Sequence, residues 1–512
     1  MTNHKIKIAL TALAVSSTLT AGVNAAGYKL YEQSTSAMGN AYAGRGAQIT
    51  DASVGFTNPA ALIHLKQAQY SFGINLIDVD GKYRNARATS AAGMPVSGGQ
   101  SDNIGGISAI PHFHYYQPLS EKLGLGLSLA VPFGTKSDYD DDFVGRYFAQ
   151  KTELDVVALQ GALSYQLTEK LSIGGALALN YAKGTLSKYK DHGGLCELGA
   201  NINNTYAQLS GGAFSDVAQD AYCDSVYQVK GDDIQPGYTL GLHYAITDQL
   251  KLALSYHSEV DYTLKGDSSI YNTPLSGEFV PYSQNPEQYW TVPTIAGVVN
   301  GQKLPAIDLT TGKQAINAPK KEASKLKLHT PQSVVFSLDH QFTQALSFQF
   351  SATWTEWSQF TDITIMSDVD EISDKTISTS TQMPENLNSE GYIGYIPEYW
   401  HNTWAYALGA TYRYSDELTL KAGFARDFSP VDSKYRSARI PSDDRSWLTL
   451  GVHYQSQKKW SADFAAGMMF MDDSSVLDHE YNAQDNRIYQ SEYQADYSIK
   501  AYVLSMQLNY FL

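Results

Sequence analysis

Beyond its N-terminus the 512-residue sequence holds no apolar run of about 18 residues or more, the length a membrane-crossing helix needs. A helical membrane protein is thereby excluded. Cysteine is almost missing: Cys196 and Cys223 are the only two, and both fall in one long connection. In an exported chain a loop-closing disulfide fits this pair better than two free thiols, and would add about 3 kcal/mol if unstrained. Basic residues are outnumbered, 37 Lys and Arg against 52 Asp and Glu, and the net charge of −15 argues against a nucleic-acid partner. The acidic run Asp138, Asp140, Asp141, Asp142 reads as a solvated loop face, and only weakly as a divalent-cation site. Gly-x-Ser-x-Gly, His-Glu-x-x-His and P-loop patterns are all missing, so no enzyme, metal site or cofactor is expected. A lipid hydrolase would need a Ser and a His brought together from distant strands.

What is present is a repeated turn. It reads Ser120-Glu121-Lys122-Leu123, Thr168-Glu169-Lys170-Leu171, Thr247-Asp248-Gln249-Leu250, Thr343-Gln344-Ala345-Leu346 and Ser415-Asp416-Glu417-Leu418, with a looser copy from Ser456 to Trp460. An aromatic residue stands before each copy: Tyr116, Tyr165, Tyr244, Phe342, Tyr412 and Tyr454. Two alternating segments and one long, irregular connection separate successive copies. Short turns on one side and long loops on the other are the pattern of an up-and-down barrel in an outer membrane. Such strands need an apolar residue only at every second position, so a mean hydropathy of −0.29 is compatible with it. The segment after Leu171 alternates Leu171, Ile173, Leu177, Leu179 and Tyr181 with Ser172, Gly174, Ala176, Ala178 and Asn180, a lipid face and a lumen face. Fourteen antiparallel strands are expected between 67 and 512, the third near 122–133 and the last near 495–512. The aromatics before the turns would form the periplasmic girdle. A soluble propeller or sandwich is the competing architecture, and it does not account for long loops on one side only.

The N-terminus carries Lys5 and Lys7, an apolar stretch from Ile8 to Leu19 and then Val23-Asn24-Ala25, so residues 1–25 read as a signal peptide. Residues 26–66 are rich in Gly, Ala and Ser and lack the period of two. A barrel of this size leaves its lumen unfilled, so this segment is expected to fold inside it as a plug, a flexible tail being the alternative. Pro132-Phe133-Gly134 interrupts the third strand, either as a break in the wall or as its entry into a loop. The connection 267–322 is apolar for a loop that faces water, with Phe279, Val280, Tyr289 and Trp290. The connection 189–235, with Leu195, Leu198 and Phe214, is its natural second wall. Those residues read as a ligand groove, or as a small core private to the loops. Arg436, Arg439 and Arg445 suit a carboxylate, or else pair with Asp432, Asp443 and Asp444. Lys188 is a further candidate cation, or a surface lysine.

The run Ala26-Gly27-Tyr28, Glu32-Gln33-Ser34, Ala41-Tyr42-Ala43-Gly44, Asp51-Ala52-Ser53 and Asn58-Pro59-Ala60 resembles the start of the FadL family of outer-membrane long-chain fatty acid transporters. Trp357-Ser358-Gln359-Phe360 and Ser429-Pro430-Val431 through Asp444-Arg445 look like later blocks of the same family. The resemblance implies an all-β, 14-stranded antiparallel transmembrane barrel (67–512) with an N-terminal hatch (26–66). It also implies a route: capture between the two apolar loops, binding in the lumen, a change in the hatch at Asn58, Pro59 and Ala60, and exit sideways through a gap at Pro132-Phe133-Gly134. The hatch tripeptide is expected near that gap. The implied partners are a long-chain fatty acid or another hydrophobic molecule and the lipid or lipopolysaccharide of the outer membrane, with the chain acting as a monomer. Importers of uncharged hydrocarbons belong to the same family, and a permanently shut surface barrel is the alternative outside transport. With no energy-coupling motif, the process is read as diffusion down a gradient.

Overall fold

The computed structural model describes residues 27–91, 93–190, 225–272, 320–371, 377, 391–482 and 484–512, with four two-residue pieces between 294 and 308. Fourteen wall strands run in chain order. The first six are β1 (Gln69–Thr89), β2 (Ile107–Pro118), β3 (Leu123–Asp138), β4 (Lys151–Gln166), β5 (Leu171–Lys190) and β6 (Ser225–Ala245). The next four each come in two pieces: β7 (Leu250–His257, Val260–Asn272), β8 (Lys320–Thr330, Ser333–Gln341), β9 (Leu346–Thr355, Asp362–Ser367) and β10 (Tyr392–Pro397, Thr403–Arg413). The last four are β11 (Leu418–Asp427), β12 (Arg445–Gln455), β13 (Trp460–Met471, Ser474–Tyr481) and β14 (Arg487–Phe511). All pairings are antiparallel between neighbours, and β1 closes the ring on β14 from Gln69↔Phe511 to Thr89↔Glu492.

The turns close as their composition demands. Thr168 Oγ1 accepts from the backbone N–H of Lys170 and Leu171, and Thr247, Thr343 and Ser415 do the same in their copies. The hydroxyl satisfies donors that a two-residue reversal would leave open. Outward positions form a continuous apolar belt: Phe72, Leu127, Leu177, Leu240, Leu408, Leu450 and Leu504 are all exposed, whereas inward neighbours such as Ser505, Gln507 and Asn509 are buried. Tyr165, Tyr244, Phe342, Tyr412 and Tyr454 stand outward at the turn end of this belt, as expected of a girdle. Tyr116 does not. It points into the lumen at 0% exposure, and its neighbour Tyr115 takes the outward place, stacked on Tyr70. A period of two lets only one of two adjacent aromatics face lipid.

Two strands differ from their expected extent in ways that matter. β3 continues past Phe133 to Asp138, with its register on β4 shifting between Ala130 and Phe133. The Pro-Phe-Gly break is therefore inside the wall and is not a strand end. β14 begins at Arg487 and pairs with the second piece of β13 as an extended hairpin, where a long loop was expected. Above the belt, Tyr83, Tyr139, Phe143, Tyr493 and Tyr497 pack into a buried aromatic cluster on the long-connection side.

Candidate functional site

Residues 27–66 lie inside the ring. Their polar groups bond inward-facing side chains of strands on every side. Asn75 of β1 donates to Glu32 O, His114 of β2 pairs with Gln33 O, and Gln507 of β14 accepts from Thr35 N. Ser337 of β8 and Ser351 of β9 accept from Gly46 N and Gly44 N, while Lys421 of β11 donates to Ser36 O at 2.8 Å. The segment needs few regular elements because these wall groups satisfy its backbone. It forms two four-residue helical turns, α1 (Thr35–Met38) and α2 (Val54–Thr57), and a 3₁₀ turn over Pro59–His64.

Asn58 opens that 3₁₀ turn. Its Oδ1 accepts from Ala60 N at 3.1 Å, and its Nδ2 donates to Gly46 O at 2.9 Å and to Leu242 O of β6 at 3.1 Å. Pro59 follows where a missing N–H costs nothing. Ala60 O accepts from Ser164 Oγ and Ser172 Oγ of β4 and β5. The wall makes room with glycine: a Cβ on Gly174 would lie 2.3 Å from Ala60 N, and one on Gly241 2.0 Å from Asn58 Oδ1.

At the break the chain does something different. β2 and β3 pair only from Pro118↔Gly124 to Phe113↔Leu129, and beyond that point they part. The free edge of β3 is taken by the hatch instead. Leu30 N donates to Pro132 O at 2.9 Å, Gly134 N donates to Tyr28 O at 2.8 Å, and Lys29 bridges Phe133. Gln33 Nε2 adds a bond to Val131 O. Tyr28 is held among Trp357, Phe360 and Trp400, with ring centroids at 4.8, 5.4 and 5.5 Å. Gly27 makes this approach possible. Its φ is +62°, and a Cβ would lie 2.6 Å from Trp400. Asn58 itself faces β6; the hatch residues that reach the break are Tyr28–Leu30 and Phe56, which packs on Ala130 and Ala158.

A cavity with 730 Å³ of free space, its mouth included, opens beside the break. Pro132 and Phe133 form one side, Gln160, Asn180, His257 and Ser333 another, and the hatch contributes Lys29, Arg45 and Phe56. A second cavity of 460 Å³ lies between the hatch and β9–β12, lined by Tyr31, Tyr42, Asp427 and Trp447, and it shares Arg45 with the first. Among the described residues Lys29 Nζ makes one hydrogen bond, to Thr355 Oγ1 at 3.3 Å. The Arg45 guanidinium sits 4.8 Å over the Tyr31 ring. Above the break a buried apolar column continues towards the long connections, from Tyr28 and Phe133 through Val156, Tyr262 and Leu264 to Leu186, Tyr227 and Ile270.

Comparison with known proteins agrees with this geometry. Residues 16–511 match the family model described as outer membrane protein transport protein (OMPP1/FadL/TodX). The chain belongs to the FadL family. The long-chain fatty acid transport proteins of Salmonella typhi and of Escherichia coli K12 are each 26% identical, over 95% of this chain and 94% of theirs. Outer membrane protein P1 of Haemophilus influenzae is 27% identical over 86% of this chain and 85% of its own length. Among solved structures, a Pseudomonas aeruginosa FadL homologue superposes with a TM-score of 0.73 at 24% identity, covering 95% of this chain and all of that one. The Pseudomonas putida toluene transporter TodX does so at 0.55 and 16%, covering 94% and 98%. The protein is therefore a multi-pass outer-membrane β-barrel of a transport family for hydrophobic compounds, and not an enzyme.

In this FadL-family chain the arginines named from sequence fall outside both cavities. Arg436 is paired with Asp443 at 2.8 Å, and Lys188 with Glu480 at 2.5 Å. Arg439 is buried and donates to Lys151 O and Thr152 Oγ1 near Tyr227, at the edge of the apolar column. Arg445 is fully buried across from Asp427. One Nη donates to Ser442 Oγ, and Nε and Nη1 find no partner among the described residues. The cations that do line a cavity, Lys29 and Arg45, were missed. Their signal was available: charged side chains are rare in a segment expected to lie inside the barrel. Leu195, Leu198, Phe214, Phe279, Val280, Tyr289, Trp290, Cys196, Cys223 and the signal peptide lie outside the described residues.

Proposed function

We propose that this chain carries long-chain fatty acids, or hydrophobic acids of similar shape, passively across the outer membrane, releasing them sideways through the wall at β3. The observation that carries this reading is the cavity at the break, where two hatch cations stand beside the only wall position whose ladder is completed by the hatch among the described residues. A guanidinium and an ammonium suit one carboxylate. The apolar column suits the chain behind it, since each buried CH₂ gains about 0.8 kcal/mol. Capture by the two apolar connections precedes this step; the wall strands run further than expected, so these connections span 191–224 and 273–319 where 189–235 and 267–322 were expected. Residues 26–66 serve as the hatch, and the peeling of Tyr28–Leu30 from β3 uncovers the gap. Exit into lipid spares the acyl chain a second passage through water.

The test replaces Leu30 and Pro132, the pair next to the Lys29–Phe133 bridge, by cysteine, which leaves Lys29 in place. Antiparallel partners lie about 4.5–5.5 Å apart, within disulfide reach. Cells carrying the oxidised form should take up labelled oleate no faster than cells without the protein, and reductant should restore uptake. Equal uptake by oxidised and reduced forms refutes lateral exit. The double variant Lys29→Ala, Arg45→Ala separates ligand classes: a loss for oleate with toluene unchanged supports the acid. Toluene uptake alone, unaffected by this variant, supports the second reading, hydrocarbon import, which the apolar column favours.

A further inference from the structure

We infer that Lys29 is a proton donor that neutralises the ligand's carboxylate before the ligand enters the bilayer. The inference rests on the uptake reading above and adds a chemical step to it. A carboxylate that reaches the break must next pass into hydrocarbon, where an unpaired charge is opposed by several kcal/mol even after relaxation. The two cations at the cavity are suited to different work. Arg45 stays charged at any working pH and can hold the anion, whereas an ammonium readily gives up its proton when desolvated.

Lys29 is placed for this. It is half-buried, bridges Phe133 at the gap, and among the described residues keeps one hydrogen bond, to Thr355 of β9. The groups that face it are Arg45 and the Tyr31 ring from the hatch, Asp427 at the end of β11 and His257 at the end of the first piece of β7. Burial and then Arg45 pull its ammonium down to about 7, against Asp427. The proton passes from Nζ to a carboxylate oxygen. The amine is left neutral, the acid leaves uncharged with that proton, and a second proton from bulk solvent, relayed by water entering past Gln160, Asn180 and Ser333, recharges Nζ, so each acid carried consumes one solvent proton.

The experiment measures uptake of oleate and of methyl oleate into proteoliposomes from about pH 5 to pH 9. Wild type should carry the acid about tenfold more slowly for each pH unit above 7, as the protonated amine is lost, with the ester unaffected. Lys29→Arg keeps the charge and cannot donate. With each rate normalised to that variant's own rate for the ester, it should carry oleate at least about tenfold more slowly than wild type at pH 6 and lose the break near pH 7. Wild-type rates and pH profile for oleate in Lys29→Arg overturn the inference while leaving uptake intact. So does a break near pH 7 that persists in Lys29→Arg and disappears in His257→Gln. If neither ligand enters faster than into empty vesicles, the uptake reading falls and this inference with it.

Discussion

The seat of the Asn58-Pro59-Ala60 turn can be disturbed by a single methyl group from the wall. Gly174→Ala places a Cβ 2.3 Å from Ala60 N and 2.5 Å from Pro59 C, both backbone atoms that cannot rotate away. Restoring a normal contact of about 3.5 Å requires the turn to move about 1 Å off β5. That shift opens four bonds: Asn58 to Leu242 O, Ser164 and Ser172 to Ala60 O, and Ile63 N to Ser164 Oγ. At roughly 1 kcal/mol net apiece the seat weakens by about 4 kcal/mol. Gly161→Ala on neighbouring β4 is the matched control, because a Cβ there meets nothing within 4 Å. Hydrogen exchange of the amides of residues 60–65 is the readout. Gly174→Ala should accelerate them by up to about a thousandfold, with barrel amides unchanged, and Gly161→Ala should leave both unchanged. Wild-type protection of 60–65 in Gly174→Ala would refute the claim that glycine there makes room for the hatch.

Gly27→Ala combines a left-handed φ with a contact 2.6 Å from Trp400, so it should displace Tyr28 and change the fluorescence of Trp357 and Trp400; an unchanged spectrum counts against that packing. Leu177→Lys puts a charge on the outward belt at a residue 74% exposed to lipid, and should cost about 2–4 kcal/mol of barrel stability in urea titrations in lipid, whereas a shift below 1 would mean that β5 is not at mid-depth. Glu398 lies in the bend between the two pieces of β10, on the long-connection side of the outward pair Trp404 and Tyr406, and burial followed by Asp478 pushes its carboxyl up to about 8 despite a bond from Trp400 Nε1. The folded state therefore holds a proton that the unfolded chain releases near pH 4.5, so stability should fall as pH rises from about 4.5 to 8. Glu398→Gln should flatten that slope, and an unchanged slope assigns it to other groups. Arg436→Ala, which leaves both cavities untouched, should alter oleate affinity by less than twofold, and a larger loss would return Arg436 to the ligand's path.

The barrel was legible because period-two strands and hydroxyl-closed turns both leave marks in side chains. Ser120, Thr168, Thr247, Thr343 and Ser415 each bond their own turn, so the residue that signals the turn is the one that closes it. Pro132 and Gly134 likewise signalled a break, because one lacks a donor and the other packs closely on Leu30. What fills the break left no such mark. Tyr28–Leu30 join β3 through backbone atoms, and any residue at 28 and any but proline at 30 could make those two bonds. The arginines near Ile440-Pro441 carry the more conspicuous sequence signal for a carboxylate, and the nearby acids that leave their role open prove decisive for Arg436. Tyr116 failed for another reason: two tyrosines in a row gave the aromatic signal, and parity allowed only the first of them to face lipid.

The closure of the gap is local, and this bears on how a passive route could work. Two backbone bonds, the bonds from Tyr28 Oη to His329 O and from Lys29 Nζ to Thr355 Oγ1, and the Tyr28 ring contacts hold residues 28–30 in place, whereas the rest of the hatch is tied down by bonds to strands on every side of the ring. The four bonds contribute about 4 kcal/mol net. The aromatic contacts of Tyr28 with Trp357, Phe360 and Trp400 add roughly 1 kcal/mol each beyond area burial. An acyl chain that took the place of Tyr28 among those rings would recover about 0.8 kcal/mol for each CH₂ it buried there, so about nine methylenes offset the loss. Gln33 bonds both Leu30 O and Val131 O, and in the proposed route it marks the boundary between the part that peels and the part that stays. In the proposed route the ligand therefore displaces three residues rather than the whole plug, and no external energy source is required to open the wall.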